Sequence, residues 1–277
     1  MKLRIIPRLE IKGNNLVKGI NFDGLKIIGD PCEAAYNYFK DGADEIFYDD
    51  IVASLYEKKI SKSIVKNTSK NISIPLTVAG GIRSLNDIEE LLKSGADKVA
   101  INTAAIKNNN LLKDASKQFG SQCIILSIHT KKINNKYEIF TENGRERINL
   151  EINDWIKEST DLGIGEIFVS SIENEGLCKG LNKELADYIK ETNLPLVFGG
   201  GVGNKTHCSD FLKTINNSVD GLFMSSALHY KYYNNKNMNE YEKLNNSELT
   251  ELKPFYIRDL KNHLYKNKLE VRLDENV

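Results

Sequence analysis

Short runs of β-branched and aromatic residues alternate along this chain with longer stretches whose apolar positions recur at helical spacing. The runs LRIIPRL, EIFYDDI, IPLTVAG, KVAIN, CIILSI, EIFVSSI, PLVFGG and GLFMSS read as eight strands. They are too continuously apolar for a sheet wetted on one face, so they predict buried parallel strands. Between most of them lie amphipathic segments such as LNDIEELLKSGA, NNLLKDASKQFG and NKELADYIKETN, each with one apolar stripe to lay on a sheet. Eight strand–helix units predict an α/β fold, a (β/α)8 TIM barrel. An open doubly wound sheet is the alternative.

The chain also repeats itself. IPLTVAGGIR begins at Ile74 and LPLVFGGGVG at Leu194, 120 positions later, while GADEIFYDDI begins at Gly42 and GIGEIFVSSI at Gly163, 121 positions later. One barrel domain over 1–277, built from half-barrels of about 1–120 and 121–277, accounts for this; an open sheet does not. Two segments break the rhythm. Lys12–Pro31, rich in Gly and Asn, follows the first strand and is expected to be a lid or binding loop. A polar insertion at 231–248 precedes the last helical segment, IRDLKNHLYKN.

Composition narrows the function classes. At 277 residues and 40% hydrophobic, the chain can bury a full core. Lys+Arg and Asp+Glu balance at 38 each, which leaves no global field to attract nucleic acid or an anionic membrane. No apolar run approaches the roughly 18 residues that span a bilayer, and MKLRIIPRLEIK has charges where a signal peptide needs an apolar core. A cytoplasmic location is expected. Cys32, Cys123, Cys178 and Cys208 are far apart and form no CxxC pair, so isolated thiols are expected, with no disulfide frame, metal site or cofactor.

Candidate chemistry collects at strand ends. Gly80–Gly81 and Gly199–Gly201 follow the third and seventh strands, where bare backbone can close on an anion beside a helix start. The fourth strand ends in Asn102–Thr103 and the eighth in Ser225–Ser226. Two phosphate cradles on opposite sides of one mouth are expected, against the alternative that these glycines only permit tight turns. Side-chain alternation puts Arg4, Ile6, Arg8 and Glu10 on one face of the first strand, and Cys123, Ile125, Ser127 and His129 on one face of the fifth. Glu10 and His129 then meet at the mouth as a carboxylate–imidazole pair suited to proton transfer. At the other end Arg4, Glu45, Lys98 and Glu166 begin strands and point inward, a ring of two cations and two anions. A ring of that kind is weak as a stability device and makes sense as a gate for something small and polar.

These residues together resemble the cyclase subunit of imidazole glycerol phosphate synthase. The likeness runs from RIIPRLEIK through GDP, GADE, PLTVAGGIRS, GADKVAINTAA, FGSQ, GEIFVSSI and GGGVGN to VRL, and so covers nearly the whole chain. The resemblance implies a duplicated (β/α)8 barrel that binds a bis-phosphorylated nucleotide across its mouth. It implies ammonia supplied by a glutaminase (glutamine amidotransferase) subunit, docked as a heterodimer on the barrel floor. It places the ammonia gate on Arg4, Glu45, Lys98 and Glu166 and the mobile-loop lysine on Lys18. It places phosphate contacts on Gly81, Asn102, Thr103, Gly176, Gly201, Ser225 and Ser226; the adjoining Gly80 and Gly200 are candidates for the same contacts, and Arg8, Asp49, Asp50 and Ser170 are candidate mouth-lining residues.

The chain departs from that family at the mouth. Glu10 and His129 stand where the family has two catalytic Asp, and Arg8 stands where it has Cys. Asp49 replaces an apolar residue, and Glu173, Glu175 and Leu177 occupy a loop that usually carries two Asp and a Thr. Three functions follow as alternatives: the ammonia-dependent lyase–cyclase step of histidine biosynthesis, ammonia channelling towards amidination of a surface sugar, or non-catalytic activation of the glutaminase.

Overall fold

The computed structural model describes residues 2–20, 23–56, 59–189, 192–233 and 251–273. Eight parallel strands close into a barrel: β1 (Arg4–Lys12), β4 (Ile46–Asp50), β5 (Leu76–Ala79), β6 (Lys98–Ile101), β7 (Ile124–Ile133), β10 (Glu166–Ser171), β11 (Leu196–Gly199) and β12 (Gly221–Met224). The circle closes where β12 pairs with β1, Ile5 opposite Leu222. An open sheet is thereby excluded. Helices α1 (Pro31–Lys40), α2 (Lys62–Ser69), α3 (Leu85–Lys93), α4 (Thr103–Lys107), α5 (Asn110–Phe119), α6 (Ile152–Asp161), α7 (Lys183–Tyr188), α8 (Lys205–Thr214), α9 (Ser226–Tyr232) and α10 (Ile257–Lys266) follow the strands.

The helices start where local chemistry tells them to. Asp30 caps α1 by accepting the Glu33 N–H at 2.8 Å, with Pro31 in the first turn. Ser84 caps α3 and Asn204 caps α8, accepting from the backbone N–H groups of Asp87 and His207. Those caps are 120 positions apart, so the duplication reaches the helix starts as well as the strands. The barrel floor has a repeated device of its own. Asp44, Asp97 and Asp220 each accept a backbone N–H from the start of an adjacent strand, those of Ile5, Leu76 and Leu196 respectively, at 2.8, 2.8 and 2.9 Å.

Two antiparallel hairpins extend the barrel, and here the expectation from the pattern is corrected. Lys12–Pro31 is no irregular loop: it folds as β2 (Asn15–Ile20) and β3 (Asp23–Gly29). The tight turn Gly13–Asn14 forces the pairing of Lys12 with Asn15. The second hairpin, β8 (Lys136–Thr141) and β9 (Glu146–Glu151), follows β7 across a turn at Asn134–Asn135, whose φ values are 48° and 64°. Ile133 pairs with Lys136 across it, as Lys12 does with Asn15. Each half-barrel thus carries one hairpin after its first strand. From residue 234 onward, the polar insertion expected at 231–248 lies outside the described residues.

Inside the barrel the alternation expected from the sequence holds. Ile6, Phe47, Ala79, Ala100, Ile125, Phe168, Val197 and Phe223, one per strand, form a separate buried cluster. Phe47, Phe168 and Phe223 meet with ring centroids 5.1–5.9 Å apart. The larger core lies between strands and helices. The C-terminal helix α10 is tied onto it through Lys261, buried and 2.8 Å from Asp44, and Arg258, 2.7 Å from Asp41. No helix among the described residues is long and apolar enough to cross a membrane.

Candidate functional site

The floor is built two residues below the apolar layer. Glu45 receives Lys98 at 2.8 Å and Arg4 at 3.3 Å, and Thr77 donates its hydroxyl to the other Glu45 oxygen. Glu166 receives Lys98 at 2.8 Å and pairs with Arg4 as well. The four side chains singled out from the sequence are thus brought into one closed ring. Burial pushes the Glu45 carboxyl above its usual range, opposed by Lys98 and reinforced by Glu166.

The mouth lies at the opposite end and holds a second charge network. Arg8, 1% exposed, donates to Asp49 at 3.0 and 2.5 Å and to Glu175 at 2.8 Å. Its guanidinium lies 5.9 Å from the Phe47 ring centre and 5.7 Å from that of Phe223, within cation–π range. Ser170 donates to the same Glu175 oxygen. Arg8 therefore bridges β1, β4 and the loop after β10 across the barrel. Asp50 turns aside and accepts the Val52 N–H at 3.2 Å.

Glu10 and His129 sit on β1 and β7, which the strand order places on opposite sides of the mouth. Both are buried. Glu10 is held by Lys18 of the first hairpin, whose ammonium lies 3.1 and 2.8 Å from the two carboxylate oxygens. Burial alone would raise the Glu10 pKa, but Lys18 and Arg8 outweigh it and hold the carboxyl below its usual range. His129 is driven the other way. Burial, then the Arg8 charge, lowers its pKa to about 4, so the imidazole is neutral near pH 7. The pair is thus a carboxylate held ionised and an imidazole held neutral, with the Lys18 ammonium against the carboxylate. A third buried group, His229, went unremarked in the sequence. Burial lowers its pKa to about 3, and Tyr38 is bound to its Nδ1 at 2.5 Å.

The two sets of candidate anion contacts differ. Gly80, Gly81, Asn102 and Thr103 line a cavity of about 310 Å³ together with Arg83, Lys107, Asp49, Asp50 and His129. The second hairpin roofs it: Asn102 donates to the Phe140 carbonyl, and Thr103 accepts the Glu142 N–H at 3.1 Å. Gly176, Gly200, Gly201, Ser225 and Ser226 surround a space of only about 10 Å³. There the glycines let backbones touch. A Cβ on Gly201 would lie 2.2 Å from the Gly180 carbonyl, and one on Gly176 would lie 2.7 Å from that of Gly19 in the first hairpin.

Sequence reasoning missed the second hairpin and Glu142. The Asn134–Asn135 pair between alternating runs is the signal that could have found them. The four cysteines are free, with Cys178 and Cys208 buried. Burial raises the Cys178 thiol to about 11 and the Cys208 thiol to about 12.

Known proteins agree with this architecture. The profile of the family described as "Histidine biosynthesis protein" matches residues 4–234. The chain is 47% identical over 203 residues to the imidazole glycerol phosphate synthase subunit HisF of Legionella pneumophila, covering 73% of this chain and 96% of that one. It is 41% identical over 229 residues to the HisF of Helicobacter hepaticus, covering 82% and 90% respectively. With the HisF of Sulfolobus acidocaldarius it shares 39% identity over 272 residues, 98% of each chain. A closed duplicated barrel, matched along nearly its whole length at these identities, belongs to the histidine biosynthesis family, among the HisF subunits of imidazole glycerol phosphate synthase.

Proposed function

We propose that this chain is the ammonia-accepting barrel of a glutamine-dependent synthase, taking ammonia from a glutaminase subunit at its floor and using it at its mouth. The observation that carries the reading is the ring of Arg4, Glu45, Lys98 and Glu166 beneath the apolar layer. Closing a barrel with four partly buried charges costs desolvation that an apolar plug would avoid. Such a ring gives a small polar molecule partners at each step and opens when one ammonium swings aside. At the mouth, Lys18 is placed to give a proton and neutral His129 to take one. Those are the two transfers that a carbon–nitrogen cleavage with ring closure needs.

The test mixes the chain with its glutaminase and compares glutamine with ammonium salt as nitrogen source. Lys98→Ala is expected to lower glutamine-driven product formation at least tenfold while product from ammonium salt persists. Equal loss with both sources, or no loss with either, overturns the reading.

A second reading is favoured by one feature. Both Glu10 oxygens are taken by Lys18, and Arg8 stands 4.0 Å away. A carboxylate so engaged suits a barrel that passes ammonia to an acceptor outside the histidine pathway, such as a surface sugar. Rescue of a histidine auxotroph lacking the cyclase decides between them: growth supports the histidine reaction, and no growth at equal expression supports the other acceptor.

A further inference from the structure

Resting on the ammonia-accepting reading, we infer that Arg8 is a plug that turns the ammonia outlet off the barrel axis, to a gap between Ala79 and Ala100. Thr77 and Lys98 both bind Glu45 in the floor ring and lie opposite each other at the base of β5 and β6. Two residues further on, Ala79 and Ala100 again pair in register and belong to the apolar layer. Residues two apart share a face of a strand, so each alanine stands directly above its floor residue. Both alanines also line the cavity of about 310 Å³ at the mouth, together with Ser127 and His129. On β5 and β6, then, only methyl groups stand between the ring and the mouth. When the Lys98 ammonium swings aside, the smallest side chains of the layer lie next in line.

The rest of the layer is bulkier and is covered from the mouth. No other member is smaller than valine, and Phe47, Phe168 and Phe223 fill it from β4, β10 and β12. The Arg8 guanidinium lies 5.9 and 5.7 Å from the Phe47 and Phe223 ring centres. Asp49 holds it there from β4, and Glu175 from the loop after β10. Ser170 fastens Glu175 in turn. Arg8 also stands two residues above Ile6 on the inward row of β1, so the cover extends over that side chain. Arg8 is thus a positioning residue: with this side closed, ammonia emerges towards β7 and meets Ser127 and His129.

Labelling of the whole chain with the small thiol reagent methyl methanethiosulfonate tests the outlet. Peptide mass mapping separates an introduced thiol from Cys32, Cys123, Cys178 and Cys208. Ala100→Cys is expected to react about tenfold faster than Ile6→Cys, because access governs thiol reactivity. Arg8→Ala combined with Glu175→Gln should raise the Ile6→Cys rate about fivefold. Equal rates at the two positions, or an Ile6→Cys rate indifferent to the loss of Arg8, overturn the inference. In the glutaminase assay that reads Lys98→Ala, Ala100→Leu should lower the ratio of glutamine-driven to ammonium-driven product about tenfold by filling the gap. Ala79→Val, a smaller step, should lower it in the same direction. Val197→Leu, the same kind of filling on the covered side, should leave it within about twofold. An unchanged ratio in Ala100→Leu beside a drop in Lys98→Ala overturns the outlet and leaves the floor reading standing. No drop in either variant overturns both.

Discussion

The ammonium of Lys18 lies 2.8 Å from Glu10 Oε2, and both side chains are almost wholly removed from solvent. This pair ties the first hairpin to the end of β1, so displacing the hairpin would strip the mouth carboxylate of its nearest cation. Lys18→Met leaves a buried carboxylate beside Arg8 alone, and is expected to destabilise the fold by roughly 3–5 kcal/mol. Lys18→Met combined with Glu10→Gln should recover most of that loss. Urea unfolding of the three proteins checks this, and equal losses in the single and double variants would contradict it.

Arg8 is the hub of the mouth. After burial, its charge is the next cause of the low His129 pKa. Arg8→Met should therefore raise that pKa from about 4 towards 6.5, as Asp49 and Glu10, which favour the imidazolium, lose their counter-ion. NMR titration of the His129 ring resonances measures this. An unchanged midpoint in a folded variant would show that burial alone sets it.

Acidification should weaken the fold through the histidines. His129 and His229 have folded pKa values of about 4 and 3, below the unfolded value of roughly 6.5. The unfolded chain therefore binds protons first, and stability falls as pH drops below about 6.5 until the folded pKa values are reached. For His129 the full effect is on the order of 3 kcal/mol. Urea unfolding at pH 7 and pH 5 measures it, and the slope should flatten in His129→Asn.

The floor ring makes an opposite pH prediction. Lys98→Met leaves Glu45 and Glu166 facing each other with Arg4 as their shared cation, a loss of roughly 3–5 kcal/mol at pH 7. Burial already raises the Glu45 pKa, and losing the Lys98 charge raises it further. The deficit of the variant relative to the parent should shrink between pH 7 and pH 5 as Glu45 protonates. A deficit that is constant with pH would mean the ring is held by packing instead.

Glycines at the two mouth loops separate close approach from simple turning. Gly201 has φ 95° and no room for a Cβ, whereas Gly13 has φ 63° in open space. Gly13→Ala should cost about 1 kcal/mol, the usual penalty of a left-handed residue. Gly201→Ala should cost more than about 3 kcal/mol, because the loop carrying Gly180 must also lift. Thermal denaturation ranks them, and equal shifts would contradict the contact.

Much of this protein was legible in one dimension. Period-two alternation identifies Arg4, Ile6, Arg8 and Glu10 as one inward row, because a strand has only two faces. The offset of about 120 residues between Gly80–Gly81 and Gly200–Gly201 is local chemistry written twice, and it signals the duplicated barrel. The floor ring was legible for the same reason, since each member begins a strand whose direction and face were already known.

The tertiary structure alone decided the state of the mouth. Which carboxylate Arg8 takes, Asp49 or Glu10, depends on side chains converging from β1, β4 and a loop beyond β10. The low pKa of His129 comes from burial by neighbours remote in sequence. The inequality of the two glycine cradles has the same origin. Near-identical turns differ because the loop after β10 closes on one glycine turn, while the second hairpin roofs the other. Repeated sequence sets repeated backbone, but the volume left between elements depends on every side chain that enters it, and packing is not a local property.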